Sequence, residues 1–156
     1  MGIQYQENAD IAPEALRALY LDAGWTAYTD HPEKMARLLP GALWHLSAWE
    51  GEECVGLIRC VGDDCSILYI QDILVKTNHQ RRGIGRQLIE AALARFAHIR
   101  QTVLLTGDRE DVAQHVGDQL GIELVCAELL PGDKVAHVER LRCFEKRSLL
   151  LRNVIV

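Results

Sequence analysis

The stretch Tyr69–Leu93, Y-I-Q-D-I-L-V-K-T-N-H-Q-R-R-G-I-G-R-Q-L-I-E-A-A-L, constrains this chain more than any other part of it. It opens with an apolar run, Tyr69 to Val75, interrupted by Gln71 and Asp72. A polar turn, Lys76 to His79, follows. After Gln80-Arg81-Arg82-Gly83-Ile84-Gly85 come apolar residues at helical spacing: Ile84, Leu88, Ile89, Ala92, Leu93 and Phe96. Short β-branched runs bounded by polar turns form strands, and a period of about 3.6 residues marks a helix. The stretch is therefore strand, basic glycine-bearing turn, helix.

The turn is built for an anion. The first amides of a helix have no internal acceptor, and the helix dipole places partial positive charge on them. Gly83 and Gly85 lack a Cβ, so a ligand can approach the backbone. Arg81, Arg82 and Arg86 add formal positive charge. A phosphate or pyrophosphate is the expected guest. The phosphate-loop pattern is excluded, because no Gly-Lys pair occurs in the chain. The dinucleotide pattern G-x-G-x-x-G fails at its last position, which is Leu88.

What remains is Q-x-x-G-x-G directly after a strand ending I-L-V. This resembles the acetyl-coenzyme A site of the GNAT N-acetyltransferase superfamily, with its signature Q/R-x-x-G-x-G/A. The strand Y-I-Q-D-I-L-V is also similar to that family's fourth strand, often Y-I-E-D-L-x-V. The resemblance covers about residues 3–122. It implies that the backbone of Ile73, Leu74 and Val75 receives the pantetheine arm as an added strand. It further implies that Gln80 through Gly85 hold the pyrophosphate, with Arg86 adding charge.

At 156 residues the chain reads as one domain, 1–156, with room for a core. Apolar residues make up 49% and charged residues 25%, the balance of a soluble globular protein. The net charge of −5 argues against a nucleic-acid surface, which needs a basic footprint, and is compatible with a cationic acceptor. The five cysteines, Cys54, Cys60, Cys65, Cys126 and Cys143, are odd in number and form no C-x-x-C. Neither a disulfide framework nor a metal site follows from them. No apolar run approaches the length of a membrane span, and the N-terminus has no signal-peptide pattern. A cytoplasmic protein without metal or membrane partner is expected.

In chain order, Ile3–Tyr5 suits a short strand. Pro13 opens a helix whose stripe is Leu16, Leu19 and Tyr20, stopped by Gly24. Asp30 and Glu33 form a capping-box variant for a second helix through Leu39. Leu43–Trp49, Cys54–Val61 and Ile67–Val75 make an antiparallel meander, with Gly56 marking a bulge or close approach. The helix from Ile84 to about Ala97 and a strand at Thr102–Thr106 complete a right-handed βαβ unit. Arg109–Leu120 is a further helix. The fold class is α/β with a mixed sheet: a meander, then a βαβ unit whose parallel strands, by the resemblance, splay apart.

The reaction implied by the resemblance is direct acetyl transfer from acetyl-coenzyme A to an amine on a small molecule or a protein. Gln71 and Asp72 lie at the implied attack point. Adjacent strand residues face opposite ways, so one faces the acetyl group unless a bulge intervenes. Gln71 cannot be a base. Asp72 is a base, an anchor for the ammonium group, or a satisfied residue at a strand bend. Trp25 and Tyr28, between the first two helices, fall where the family's acceptor site is often lined; they contact substrate or seal the core. The family's late tyrosine, the usual thiol acid, is replaced by Gly117, and no tyrosine follows Tyr69. His115 is a substitute acid or a plain surface residue.

Residues 123–156 depart from the family pattern. Val135–Phe144 alternates like a strand, and Ser148–Val156 is apolar again. That tail packs on the core or pairs with a second copy in a homodimer; alternatively, the reading frame changes after about residue 110. The competing functional reading is a catalytically impaired acyl-coenzyme A binding or sensing module. A purely structural α/β domain that binds no coenzyme A is the third.

Overall fold

A computed structural model describes residues 2–105, 117–119, 122 and 124–126. Within them β1 (Gln4–Glu7) is followed by the helices α1 (Pro13–Asp22), α2 (Thr26–Thr29) and α3 (Pro32–Leu38). The meander is β2 (Trp44–Glu50), β3 (Glu53–Gly62) and β4 (Ile67–Val75). A 3-10 turn, Thr77–His79, leads into α4 (Ile84–Arg95), then β5 (Gln101–Leu105) and β6 (Leu124–Cys126). The described strands form one sheet in the order β1-β2-β3-β4-β5-β6. β1 through β4 pair antiparallel, and β5 lies parallel to β4 and to β6. Meander and βαβ unit follow the sequence pattern, and β4 has the span expected for it. The strand expected over Val135–Phe144, the apolar tail and His115 lie outside the described residues.

The sheet is covered on both faces, which is why β3 is a nearly continuous apolar run rather than an alternating one. On one face α4 lays Ile84, Leu88 and Ile89 against Trp44, Leu46, Ile58, Leu68 and Ile70. Trp44 is 2% exposed and meets Phe96 edge-on. On the other face α1 and α3 bury Leu16, Leu19, Tyr20 and Met35 against Leu57 and Leu74. Gly56 is the close approach that its position in β3 suggests. A Cβ there would lie 3.2 Å from Ile84 Cγ2 and 3.3 Å from the Leu74 carbonyl. Glycine thus lets the first turn of α4 sit directly on the sheet.

One helix boundary differs from the sequence pattern. Asp30 does not cap α3; it closes α2, its N–H donating to the Thr26 carbonyl at 3.0 Å. α3 starts at Pro32 with His31 before it and no side-chain cap. Proline has the right φ and no N–H to satisfy at that place, so it starts the helix without help.

Candidate active site

Two irregularities in the sheet coincide. β3 and β4 pair in step from Gly56↔Val75 to Arg59↔Asp72 and resume at Cys60↔Ile70. Gln71 is the extra residue, a β-bulge. Side chains alternate along a strand, so a bulge resets which residues face which way. Leu68 and Ile70 face α4 before it, and Ile73 and Val75 do so after it. Asp72 and Leu74 face α1. Gln71 and Asp72, neighbours in sequence, therefore both reach the side of α1 and α2. Asp72 meets Tyr20 there, and Gln71 hydrogen-bonds with Tyr28. At the same place β5 leaves β4: their pairing runs from Ile67↔Gln101 to Ile70↔Leu104. Among the described residues no strand pairs with Ile73, Leu74 and Val75 on that side.

At the end of this open edge the chain turns into α4. Gln80 reaches back, its Nε2 donating to the Val75 carbonyl at 3.2 Å. Arg81 and Gly83 both have left-handed backbone, at φ +60° and +81°. Gly83 precedes the helix and offers no side-chain cap, and no acidic residue lies in the first turn. The first amides of α4 are thus left to water or a ligand. A cavity of about 280 Å³ opens there, lined by Val75, Gln80, Arg81, Gly83, Gly85 and Arg86 among others. A Cβ on Gly83 would meet nothing within 4 Å. Glycine is needed at 83 for its φ, while the space beside it stays open for a guest. At Gly85 a Cβ would make an ordinary 3.6 Å contact with Val75, so bulk is not excluded by the protein itself.

The charge of the turn is smaller than three arginines suggest. Arg82 is held by Glu50 at 2.7 Å, and Arg86 by Glu90 at 2.8 Å. Glu50 also takes the buried His79 at 2.9 Å. The hydrogen bonds from Arg82 and His79 hold the Glu50 carboxyl down at about 2. Arg81 forms no ion pair among the described residues. The turn fits a phosphate through its backbone amides and Arg81, with Arg82 and Arg86 already partnered.

On the other side of the bulge lies a buried polar cluster. Asp72 has no exposed surface, and Arg59, facing it across the ladder, is 7% exposed. Asp72 Oδ2 accepts from Arg59 Nε at 2.6 Å and Nη2 at 2.5 Å, and from the Tyr20 hydroxyl at 2.8 Å. Burial works against the Arg59 charge, but Asp72 outweighs it and holds the guanidinium above its ordinary range. Burial pushes the Tyr20 phenol well up, with Asp72 adding to it. Burial also raises Tyr28, with Asp72 adding and Arg59 and Gln71 pulling back. Trp25 and Tyr28 are half-buried, and Tyr20 packs edge-on to both, at 6.0 and 5.4 Å.

The structure thus brings Gln71, Asp72, Trp25 and Tyr28 into one cluster and gathers residues 80–86 into another. Arg59 and Tyr20 both converge on Asp72 Oδ2, so this oxygen of the buried carboxylate is already held by protein donors. Gly117 is buried in the short described segment 117–119, its carbonyl accepting from Ile122 N–H at 2.9 Å. Burial pushes the Cys54 thiol up to about 11 and the Cys60 thiol up to about 12, away from thiolate reactivity. Sequence reasoning missed Arg59 and Tyr20 as site residues. Arg59 carried a signal: a lone charge inside the apolar run C-V-G-L-I-R-C-V. Tyr20 carried none, being part of an ordinary helical stripe.

A family model described as acetyltransferase (GNAT) family matches residues 7–121. A GNAT family acetyltransferase from Streptococcus pneumoniae TIGR4 superposes with a TM-score of 0.67 at 32% identity, over 78% of this chain and 88% of that one. The structure of AAC(6')-Iy in complex with a bisubstrate analog, CoA-S-monomethyl-acetylneamine, gives a TM-score of 0.60 at 20% identity, over 79% and 92% of the two chains. A 43-residue stretch is 60% identical to the cadmium, zinc and cobalt-transporting ATPase of Bacillus subtilis (strain 168); it makes up 28% of this chain and 6% of that protein. The chain therefore spans only a small part of such transporters. Among the described residues no helix is long and apolar enough to cross a membrane.

Proposed function

Because the chain belongs to the acetyltransferase (GNAT) family, we propose that it transfers the acetyl group of acetyl-coenzyme A directly to a primary amine. The observation that carries this is the coincidence at residue 71. The bulge and the departure of β5 fall together, and the open edge of β4 leads to the uncapped start of α4. The pantetheine arm adds along Ile73, Leu74 and Val75, and the pyrophosphate sits on the amides and side chains of residues 80–86. The amine nitrogen attacks the thioester carbonyl carbon. A C–N bond forms, the oxyanion is held by backbone N–H of β4, and the C–S bond breaks with its electron pair on sulfur. The proton lost by the amine leaves to solvent or to the thiolate. A thiol of pKa about 8.5 is a good leaving group, so a dedicated acid is not essential. The raised thiols of Cys54 and Cys60 argue against either of these two as a covalent nucleophile, and the proposed transfer takes place within a ternary complex.

In this proposal Gln71 and the loop residues Trp25 and Tyr28 orient the acceptor. Asp72 is a positioning residue that acts through Arg59 and Tyr20. A likeness covering 6% of a transporter does not bring a transport activity with it. The apolar run Ser148–Val156 favours a homodimer through the tail; a monomeric mass in sedimentation would remove that part. A cytoplasmic setting goes with the proposal and is checked by cell fractionation.

The test is thermal stability with acetyl-coenzyme A. Ligand at about 100 times its dissociation constant stabilises by about 2.7 kcal/mol, which a melt resolves. No shift at millimolar ligand overturns the proposal. A shift without thiol release across a broad amine panel favours the second reading, an acyl-coenzyme A binding or sensing module. The buried pairing of Asp72 is the observation on its side.

A further inference from the structure

A second cavity, of about 510 Å³, opens between α3 and β3. That size falls within the rough 300–1,000 Å³ of small-ligand pockets. Among the described residues its charged lining is Lys34, Arg37 and Arg59, with no acidic side chain. Lys34 and Arg37 are exposed and form no ion pair among the described residues. The acid next to them in sequence, Glu33, turns to His31 at 3.3 Å. At the end of α3 the Arg37 carbonyl accepts from Gly41 N–H at 3.0 Å and the Leu39 carbonyl from Ala42 N–H at 3.1 Å. Asp72 neutralises one of the three cations, Arg59, and leaves the other two.

Arg59 joins this cavity to the reaction centre. It stands opposite Asp72 in the ladder, directly beside the Gln71 bulge. A guanidinium has five N–H donors. Two of the Arg59 donors go to Asp72 Oδ2, from Nε and Nη2. A small molecule in the cavity would thus have two unpaired cations at its outer end and the bulge of β4 beyond its inner end.

We propose that the acceptor amine carries an anionic group, a carboxylate or phosphate, which seats between Lys34 and Arg37 with the amine directed toward Gln71. This rests on the acetyltransferase proposal and names its substrate class. Complementary charge holds such a molecule, while a polycationic amine meets like charges at the same walls.

The experiment compares acceptors in pairs by thiol release: β-alanine against propylamine, and phosphoethanolamine against ethanolamine. The charged member of at least one pair should have a kcat/KM higher by about tenfold or more, because a site built for a polar group rejects the analogue lacking it. Which pair responds distinguishes carboxylate from phosphate. The surface substitutions Lys34→Glu and Arg37→Glu should remove the preference and leave the KM for acetyl-coenzyme A unchanged. Binding is read in parallel: glutarate and inorganic phosphate should raise the melting temperature of the wild type more than that of the double variant. Equal turnover within both pairs, or equal shifts in wild type and variant, overturns the proposal. Loss of the acetyl-coenzyme A shift in the same melts would overturn the acetyltransferase proposal instead, and the glutarate and phosphate comparison would still decide whether the pocket takes anions.

Discussion

Asp72→Asn separates a structural carboxylate from a chemical one. The substitution keeps the volume and one acceptor oxygen, but removes the charge that faces Arg59. Asp72 is 0% exposed and Arg59 7%, so water compensates the loss only weakly. Breaking a buried ion pair from one side costs about 3–5 kcal/mol. Asparagine retains part of the hydrogen bonding from Tyr20 and Arg59, which places the loss near the lower end, about 3 kcal/mol. At about 2–4 °C per kcal/mol for a chain of this length, the melting temperature falls by about 6–12 °C. Replacing both partners by apolar residues, Arg59→Met with Asp72→Leu, should restore much of that, because it is the unpaired charge that is costly. Urea unfolding with an unchanged slope gives the stability difference. Turnover is then measured at a temperature where the variant is folded. A positioning role predicts a kcat lowered by less than about tenfold, whereas loss of a general base costs about 10²–10⁴. A variant within about 1 kcal/mol of the wild type that loses 10²-fold or more in kcat would refute the argument and make Asp72 the base.

The turn before α4 yields further expectations. Gly83→Ala has space for its methyl group but must hold φ +81°, so it should cost about 1 kcal/mol of stability in a denaturant titration. Gly83→Glu puts bulk and negative charge where phosphate is proposed, and calorimetry should find no acetyl-coenzyme A binding; unchanged affinity would sink the site. Arg81→Gln should weaken acetyl-coenzyme A more than Arg86→Gln, by about 1 kcal/mol of binding free energy, since Arg86 already pairs with Glu90. The Glu50 carboxyl is held at about 2 against an ordinary 4.5. A depressed carboxylate stabilises the fold above its ordinary value and loses that contribution as pH falls toward about 2. Glu50→Gln should therefore melt below the wild type at neutral pH, with the gap closing between about pH 4.5 and 2; a gap independent of pH would contradict the hydrogen bonds that Arg82 and His79 make to the Glu50 carboxylate.

Much of the frame was present in local patterns. β4 occupies the residues its apolar run marks out, and α4 begins at Ile84 as its period requires. The start of α3 was missed because a capping pattern at Asp30 competed with a proline two residues on, and the proline won. The net charge of the turn was overestimated because Glu50 is 32 residues from Arg82 in sequence.

The sequence by itself determined the meander, the strand-turn-helix-strand order that follows it, the glycine-bearing turn before α4 and the family to which the fold belongs. Those depend on side-chain periodicity and backbone freedom, which act between near neighbours. Only the tertiary structure decided that Gln71 is an inserted residue, that it shares a face with Asp72, and that Asp72 is claimed by Arg59 and by Tyr20, 13 and 52 residues away. A bulge is a mismatch between two strands, and a buried ion pair exists only where two chain segments exclude water together. Neither is a property of either segment taken separately.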